Sequence, residues 1–305
     1  MELQGAMQAF QRLKGQETEP QPVAGATPDE NEAEPSCRVI GFTGAKGGVG
    51  TTTVALNVAM TLVQGGHSVI YVELSPHAGT AASLLKIPQI SALEDSSADL
   101  DHMNRNCVTQ LLMQHSTGLQ VLCVSPWTHG VGSQVSTELL TALIPELKGL
   151  ADYLVLDFPL EPSFPSMSFL NACQILHLVM ETDAICIALA KSQLKAIQSH
   201  SATQILVTPV NRSGIPPADG VHGIQKQIGF DVPVIIPPAP ELCHTAGIKG
   251  LPLVCINPNS VPALQFAKLS ERILAFFTEE GSEEARRDRR DRDRRKTDRR
   301  NRGGW

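Results

Sequence analysis

Gly44-Ala45-Lys46-Gly47-Gly48-Val49-Gly50-Thr51-Thr52-Thr53 is the stretch that decides the fold. An apolar run, Val39-Ile40-Gly41-Phe42, precedes it, and a helical pattern, Val54-Ala55-Leu56-Asn57-Val58-Ala59-Met60, follows. Strand, glycine-rich turn and helix, in that order, make a phosphate-binding loop. Glycines let the backbone bend until several N–H groups point at phosphate oxygens, and the helix N-terminus adds a field that favours anions. A plain glycine-rich strand-to-helix turn is the alternative, but such a turn has no need of Lys-Gly-Gly-x-Gly followed by hydroxyls. The loop therefore predicts a nucleotide site built from Gly47, Gly48, Val49, Gly50, Thr51, Thr52 and Thr53. Position 51 normally carries the ammonium that reaches the β- and γ-phosphates. Here it is a threonine.

Working outward, β-like and helical runs alternate. Strands are expected at Arg38 to Thr43, Ser68 to Leu74, Leu119 to Val124, Tyr153 to Asp157, Cys173 to Met180, Gln204 to Val210 and Val232 to Ile236. Helices are expected at Thr52 to Gln64, Thr80 to Leu85, Val108 to Met113, Ser136 to Leu147, Ala184 to Ser199, Ala218 to Ile228 and Val261 to Glu279. Uninterrupted apolar strands separated by helices predict an α/β fold, a mostly parallel β-sheet with helices on both faces. Residues 37–280 form the expected folded unit. Before it, residues 1–36 are rich in Gln, Glu, Pro, Gly and Ala, a composition that cannot bury enough surface to offset ordering entropy. Residues 281–305 turn to Arg and Asp, and both flanks are expected to be disordered.

Charge is distributed unevenly. The formal net charge is -6, yet residues 286–302 hold ten Arg and one Lys against four Asp, or +7, leaving -13 for the remainder. An acidic body with a cationic tail is the result. The tail reads either as a solvated polyampholyte with Arg–Asp pairs at helical spacing, or as a sequence-independent contact to an anionic polymer or membrane surface. The seven cysteines contain no Cys-x-x-Cys pair, and the nine histidines show no metal-ligand spacing. Reduced thiols and a cytoplasmic protein follow, peripheral at the membrane where the tail engages it. The first twenty residues have no apolar core of signal-peptide length.

Two oxygen donors complete the predicted site. Thr52, at the start of the helix, is the hydroxyl expected to ligate Mg²⁺, although a capping threonine would suit the same position. Asp157 ends the apolar strand Tyr153-Leu154-Val155-Leu156-Asp157, and a carboxylate at the carboxyl end of a buried strand beside a phosphate loop is placed to hold the metal or its water.

Lys46-Gly47-Gly48-Val49-Gly50 resembles the deviant Walker A loop of the MinD/ParA superfamily. Asp157-Phe158-Pro159 resembles that family's Walker B strand, and Asn211-Arg212 its adenine-reading pair. Val234-Ile235-Ile236-Pro237 and Ala246-Gly247-Ile248-Lys249-Gly250-Leu251-Pro252-Leu253 are similar to its downstream "I-P … A-x-x-x-G-x-P-L" stretch. The resemblance implies ATP and Mg²⁺ as ligands and a homodimer that sandwiches the nucleotide, with Lys46 reaching the partner's phosphates in trans. Two departures stand out. Thr51 replaces the phosphate-loop lysine, and Ser75 replaces the aspartate that orients the attacking water. Both lower the expected turnover, since lost charge stabilisation in the transition state is not made good by a hydroxyl. This pattern is closest to the CpaE/TadZ branch, whose members position pilus or secretion assemblies, which makes such assembly proteins the expected partners. A cycling ParA/MinD-type ATPase that partitions cargo on DNA or membrane is the competing expectation, and the cationic tail is what it would use.

Overall fold

Apolar residues continuous enough to be buried on both sides form the centre of the sheet in a computed structural model that describes residues 37–75, 79–87, 104–123, 137–160, 166–201, 203–217 and 219–279. β1 (Arg38–Gly44), β2 (Val69–Glu73), β5 (Tyr153–Asp157) and β6 (Ile175–Glu181) are nearly free of exposed side chains. With β3 (Met113–Gln114), β4 (Gln120–Leu122) and β7 (Gln204–Val210) they make a seven-stranded sheet in the order β3-β4-β2-β5-β1-β6-β7. Every pairing is parallel except that of the short edge strand β3 with β4. This is the expected α/β architecture.

The connections explain why the site forms where it does. From β1 the chain passes through α1 (Thr51–Gln64) to β2, two places to one side, while from β5 it passes through α5 (Ser166–Ala172) to β6, two places to the other. Right-handed crossovers running in opposite directions put these two helices on opposite faces of the sheet. The carboxyl ends of β1 and its neighbours are thereby left open between the two helical layers, the position where open α/β sheets bind ligands. α1 packs on β1, β2 and β5, and it buries Val54, Leu56, Val58, Met60 and Leu62.

The remaining described helices are α2 (Ala81–Leu84), α3 (Arg105–Leu111), α4 (Thr137–Lys148), α6 (Ala184–His200), α7 (Gly220–Ile228), α8 (Pro240–Lys249), α9 (Leu253–Ile256) and α10 over 261–279. Three sequence expectations need correction. Val232 to Ile236 is not a strand: an isolated bridge of Leu206 with Asp231 precedes it, and one of Val210 with Ile236 ends it. Pro233 has no N–H to give a ladder, and Pro237 follows at once. The helix expected at Val108 to Met113 begins earlier, at Arg105, because the Asn104 side chain accepts from the N–H groups of Asn106 and Cys107. Met113 instead pairs with Val121 in the sheet. The expected disordered flanks, Pro76, His77 and the 286–302 tail lie outside the described residues.

A polar seam crosses the core beneath the loop. His177 is fully buried on β6 and stacks on its cross-strand neighbour Phe42, with ring centroids 4.8 Å apart. Its Nδ1 lies 3.1 Å from Thr208 Oγ1, and Nε2 has no partner among the described residues. Burial pushes its pKa down from 6.5 to about 3, so the ring is neutral in the folded protein. Protonation is available to the unfolded chain below about 6.5 but withheld from the folded one until about 3. Stability should therefore fall as pH drops through that window, by up to about 1.4 kcal/mol per unit. His177→Leu should remove this share of the slope. Urea unfolding of both proteins between pH 7 and pH 4 checks it, and parallel curves would refute the assignment.

Candidate functional site

The loop between β1 and α1 is built on close backbone approach. A Cβ placed on Gly44 would meet Thr51 Oγ1 at 2.6 Å, so the first residue of α1 folds back onto the loop's base. Gly50, at the N-cap of α1, has φ 99°, a left-handed value that side chains resist. The Ala45 N–H donates to the Val179 carbonyl at 2.8 Å and ties the loop to β6. No acidic residue occupies the first turn of α1 itself, so no side chain of the helix offsets its N-terminal field.

Oxygen donors gather under this turn. Thr52 Oγ1 donates to Asp157 Oδ2 at 2.6 Å, and the buried Tyr71 hydroxyl donates to the same oxygen at 2.8 Å. Both predicted metal ligands thus meet, and they line a cavity of 630 Å³ with Gly47, Ser75 and Glu73. A hydroxyl and a carboxylate at a helix N-terminus suit a hard, oxygen-seeking cation. The buried carboxylate Asp157 has its pKa raised by desolvation, against the lowering effect of the Thr52 and Tyr71 hydrogen bonds. A divalent cation would offset that cost, so the residues present fit Mg²⁺.

Sequence reasoning missed Glu73 and Tyr71. Glu73 pairs in register with Asp157 across β2 and β5 and is 5% exposed. Its Oε1 accepts from the N–H groups of Thr80 at 2.7 Å and Ala81 at 3.1 Å, while its Oε2 is buried without a partner among the described residues. The signal was present: Glu73 ends a buried apolar strand, as Asp157 does.

On the other side of the loop, a second cavity of 470 Å³ is lined by Gly50, Asn211, Arg212, Pro237, Leu253 and Phe266 among others. The predicted Asn211-Arg212 pair is therefore beside the loop, at the end of β7. Asn211 Nδ2 donates to the Ile215 carbonyl at 3.0 Å, which shapes the rim. Leu253 belongs to the downstream motif, and Asn57 of α1 anchors that segment by accepting from the Val254 N–H at 2.9 Å. Lys46 also lines the first cavity, and its ammonium is engaged at the rim. Its Nζ lies 3.0 Å from Glu181 Oε2, and that hydrogen bond raises its pKa.

No family model matches the chain. It is 23% identical over 250 residues to a chloroplastic septum site-determining protein MinD homolog of Arabidopsis thaliana, covering 78% of this chain and 74% of the relative. A putative septum site-determining protein MinD of Emiliania huxleyi is 24% identical over 244 residues, covering 78% and 87%. Among solved structures, a ParA family ATPase from Chlorobium tepidum superposes with a TM-score of 0.66 at 22% identity, covering 76% of this chain and 98% of that one. The MinD of Pyrococcus horikoshii complexed with Mg-ADP gives 0.63 at 22% identity, covering 78% and 96%. The fold is that of the MinD and ParA ATPases. Among the described residues, no helix is long and apolar enough to cross a membrane.

Glu73 supplies a test of the site's electrostatics. Burial lifts its pKa from 4.5 to about 7, against the lowering effect of the Thr80 and Ala81 N–H groups, and the neighbouring Asp157 adds to the rise. For an acid raised in this way the folded state carries no penalty below about 4.5, and the full penalty above about 7. Glu73→Gln should therefore gain stability relative to wild type at pH 8 compared with pH 5. Denaturant midpoints at the two values measure it, and an equal difference at both would show that the carboxyl bears no such strain.

Proposed function

We propose that this chain binds ATP with Mg²⁺ and dimerises on it as a MinD/ParA-like protein of weak turnover, serving to position a larger assembly. The observation that carries this reading is the Thr52–Asp157 hydrogen bond at the floor of a cavity roofed by the glycine loop. Backbone N–H groups of residues 47 to 52 would hold the phosphates, and Thr52 and Asp157 the metal. The base would occupy the cavity walled by Asn211, Arg212 and Leu253. Mg²⁺, when bound, supplies positive charge against the phosphate oxygens. Lys46 acts on the nucleotide of the second copy, in the manner of the family that the loop resembles.

Saturable binding of a fluorescent ATP analogue in the presence of Mg²⁺ is the expected outcome for the purified chain. Thr52→Ala and Asp157→Asn should each weaken it by about tenfold or more, in line with about 1.5–3 kcal/mol for a hydrogen bond to a charged group. An interaction module with no nucleotide would show no saturation at millimolar analogue.

Weak turnover follows from residues that are absent. Thr51 brings no ammonium to the β- and γ-phosphates, and its hydroxyl is folded back against Gly44. Ser75 lines the phosphate cavity where the family places a carboxylate, and a serine cannot usefully accept a proton at neutral pH. Removing one such group typically costs about 10²–10³-fold in rate. Thr51→Lys alone should leave hydrolysis slow, and recovery should require Ser75→Asp as well. Steady-state phosphate release from the single and double variants decides this.

The second reading, a cycling ATPase that partitions cargo, is favoured by the company the chain keeps: a ParA family ATPase and two septum site-determining relatives. Fast hydrolysis by the wild type would select it. A pilus or secretion apparatus as the assembly, following the CpaE/TadZ resemblance, is the finer form of the first reading. In either case the 286–302 tail is the candidate contact to an anionic polymer or membrane surface.

A further inference from the structure

The sheet register brings three charged residues abreast. Gly44 of β1 pairs with Val179 of β6, so Lys46 and Glu181, each two residues further on, lie side by side. Glu181 in turn pairs with Val210 of β7, which places Arg212 two residues beyond on the other flank. The contacts match. Lys46 Nζ is 3.0 Å from Glu181 Oε2, and Arg212 Nη1 is 2.9 Å from Glu181 Oε1. The same guanidinium nitrogen donates to the Gly48 carbonyl at 2.9 Å, which closes a strap over the loop between the phosphate cavity and the base cavity. Glu181 is held from behind, its N–H directed at Cys186 Sγ at 3.2 Å, and its side chain is 18% exposed against 36% and 63% for the two cations. Asp183, which caps α6, adds a second negative charge near Lys46.

One carboxylate therefore holds Lys46 and Arg212 at once. Lys46 cannot reach a second molecule's phosphates while it stays on Glu181, and Arg212 cannot leave the loop without breaking the other half of the pair. We propose that Glu181 is a positioning residue that parks Lys46 and Arg212 in cis, so that nucleotide and a second copy must displace its carboxylate before the dimer closes. This rests on the reading of ATP-dependent dimerisation given above. Phosphate is the natural competitor, because it offers both cations the same charge-assisted hydrogen bonds with more oxygens. The exchange sets a threshold: nucleotide does part of its work undoing an internal ion pair, and only the remainder appears as affinity.

Glu181→Gln keeps the size and polarity of the side chain but removes the charge. In the full chain, sedimentation over an ATP titration should show half-dimerisation at an ATP concentration about tenfold lower than wild type, within the ~5- to 150-fold range usual for such coupling. Binding of the fluorescent analogue to dilute, monomeric protein should tighten in the same direction through Arg212. Adding Lys46→Ala to Glu181→Gln should abolish the gain in dimerisation while leaving the gain in monomer binding. Thermal unfolding without nucleotide separates a structural role. A lower midpoint with unchanged ATP dependence would overturn the proposal, and so would weaker dimerisation, which would mean that Glu181 aims Lys46 productively. Wild type that binds analogue but is unaltered by Glu181→Gln would overturn the parking role and leave the reading of the site intact. Absence of binding in both proteins would overturn both, whereas binding only in Glu181→Gln would establish the parking role in its strongest form.

Discussion

The adjacency of β1 and β5 is the constraint on which the site depends. The two strands run parallel with Phe42 opposite Asp157, so the carboxyl end of one delivers a carboxylate to the loop that leaves the other. Thr52 reaches that carboxylate at 2.6 Å because α1 starts directly at the turn and projects its first residues over the strand ends. Moving β5 one place in the sheet would leave the glycine loop intact and remove its oxygen floor. The loop and the strand-end aspartate are separated by about a hundred residues in sequence and are one object only through the crossover rule that orders the sheet.

Much of this was readable before the structure. Buried strands of continuous apolar residues announced themselves, and Tyr153–Asp157 and Gln204–Val210 fall where the sequence places them. Ends were less secure, since they depend on caps such as Asn104 and on prolines such as Pro233, whose effects are local and compete with the apolar pattern. α5, α8 and α9 escaped notice, two of them being seven residues or fewer, too short for periodicity to register. In the site, residues carried by a motif were legible and residues carried by register were not. Nothing about Glu181 marks it in the sequence; its partners become visible only when β6 is seen to lie between β1 and β7. Glu73 obeys the same rule that marks Asp157, ending a buried apolar strand one place away in the sheet, but no neighbouring motif singles it out.

The balance of charge around the loop departs from the simple picture of a cationic cradle. Two carboxyls, Asp157 and Glu73, sit side by side in the floor, and both have raised pKa values because burial disfavours their ionised forms. A third, Glu181, occupies the cations at the rim. Without ligand the site thus holds strained acids below and satisfied bases above. A metal ion answers the first condition and a phosphate chain the second, which gives a physical reason for the two to bind as a unit.

Thr51 turned back onto Gly44 has a consequence for what kind of signal such a protein reads. A lysine at that position would let a single molecule sense the terminal phosphate with its own charge. On the proposed reading, the lone molecule would hold phosphate mainly through main-chain N–H groups and a helix dipole, which respond to the presence of an anion more than to its length. The distinction between triphosphate and diphosphate is then made only where two molecules meet. The response then scales with crowding as well as with energy charge, and the chain acts as a detector of its own local density, silent when dispersed and committed when gathered.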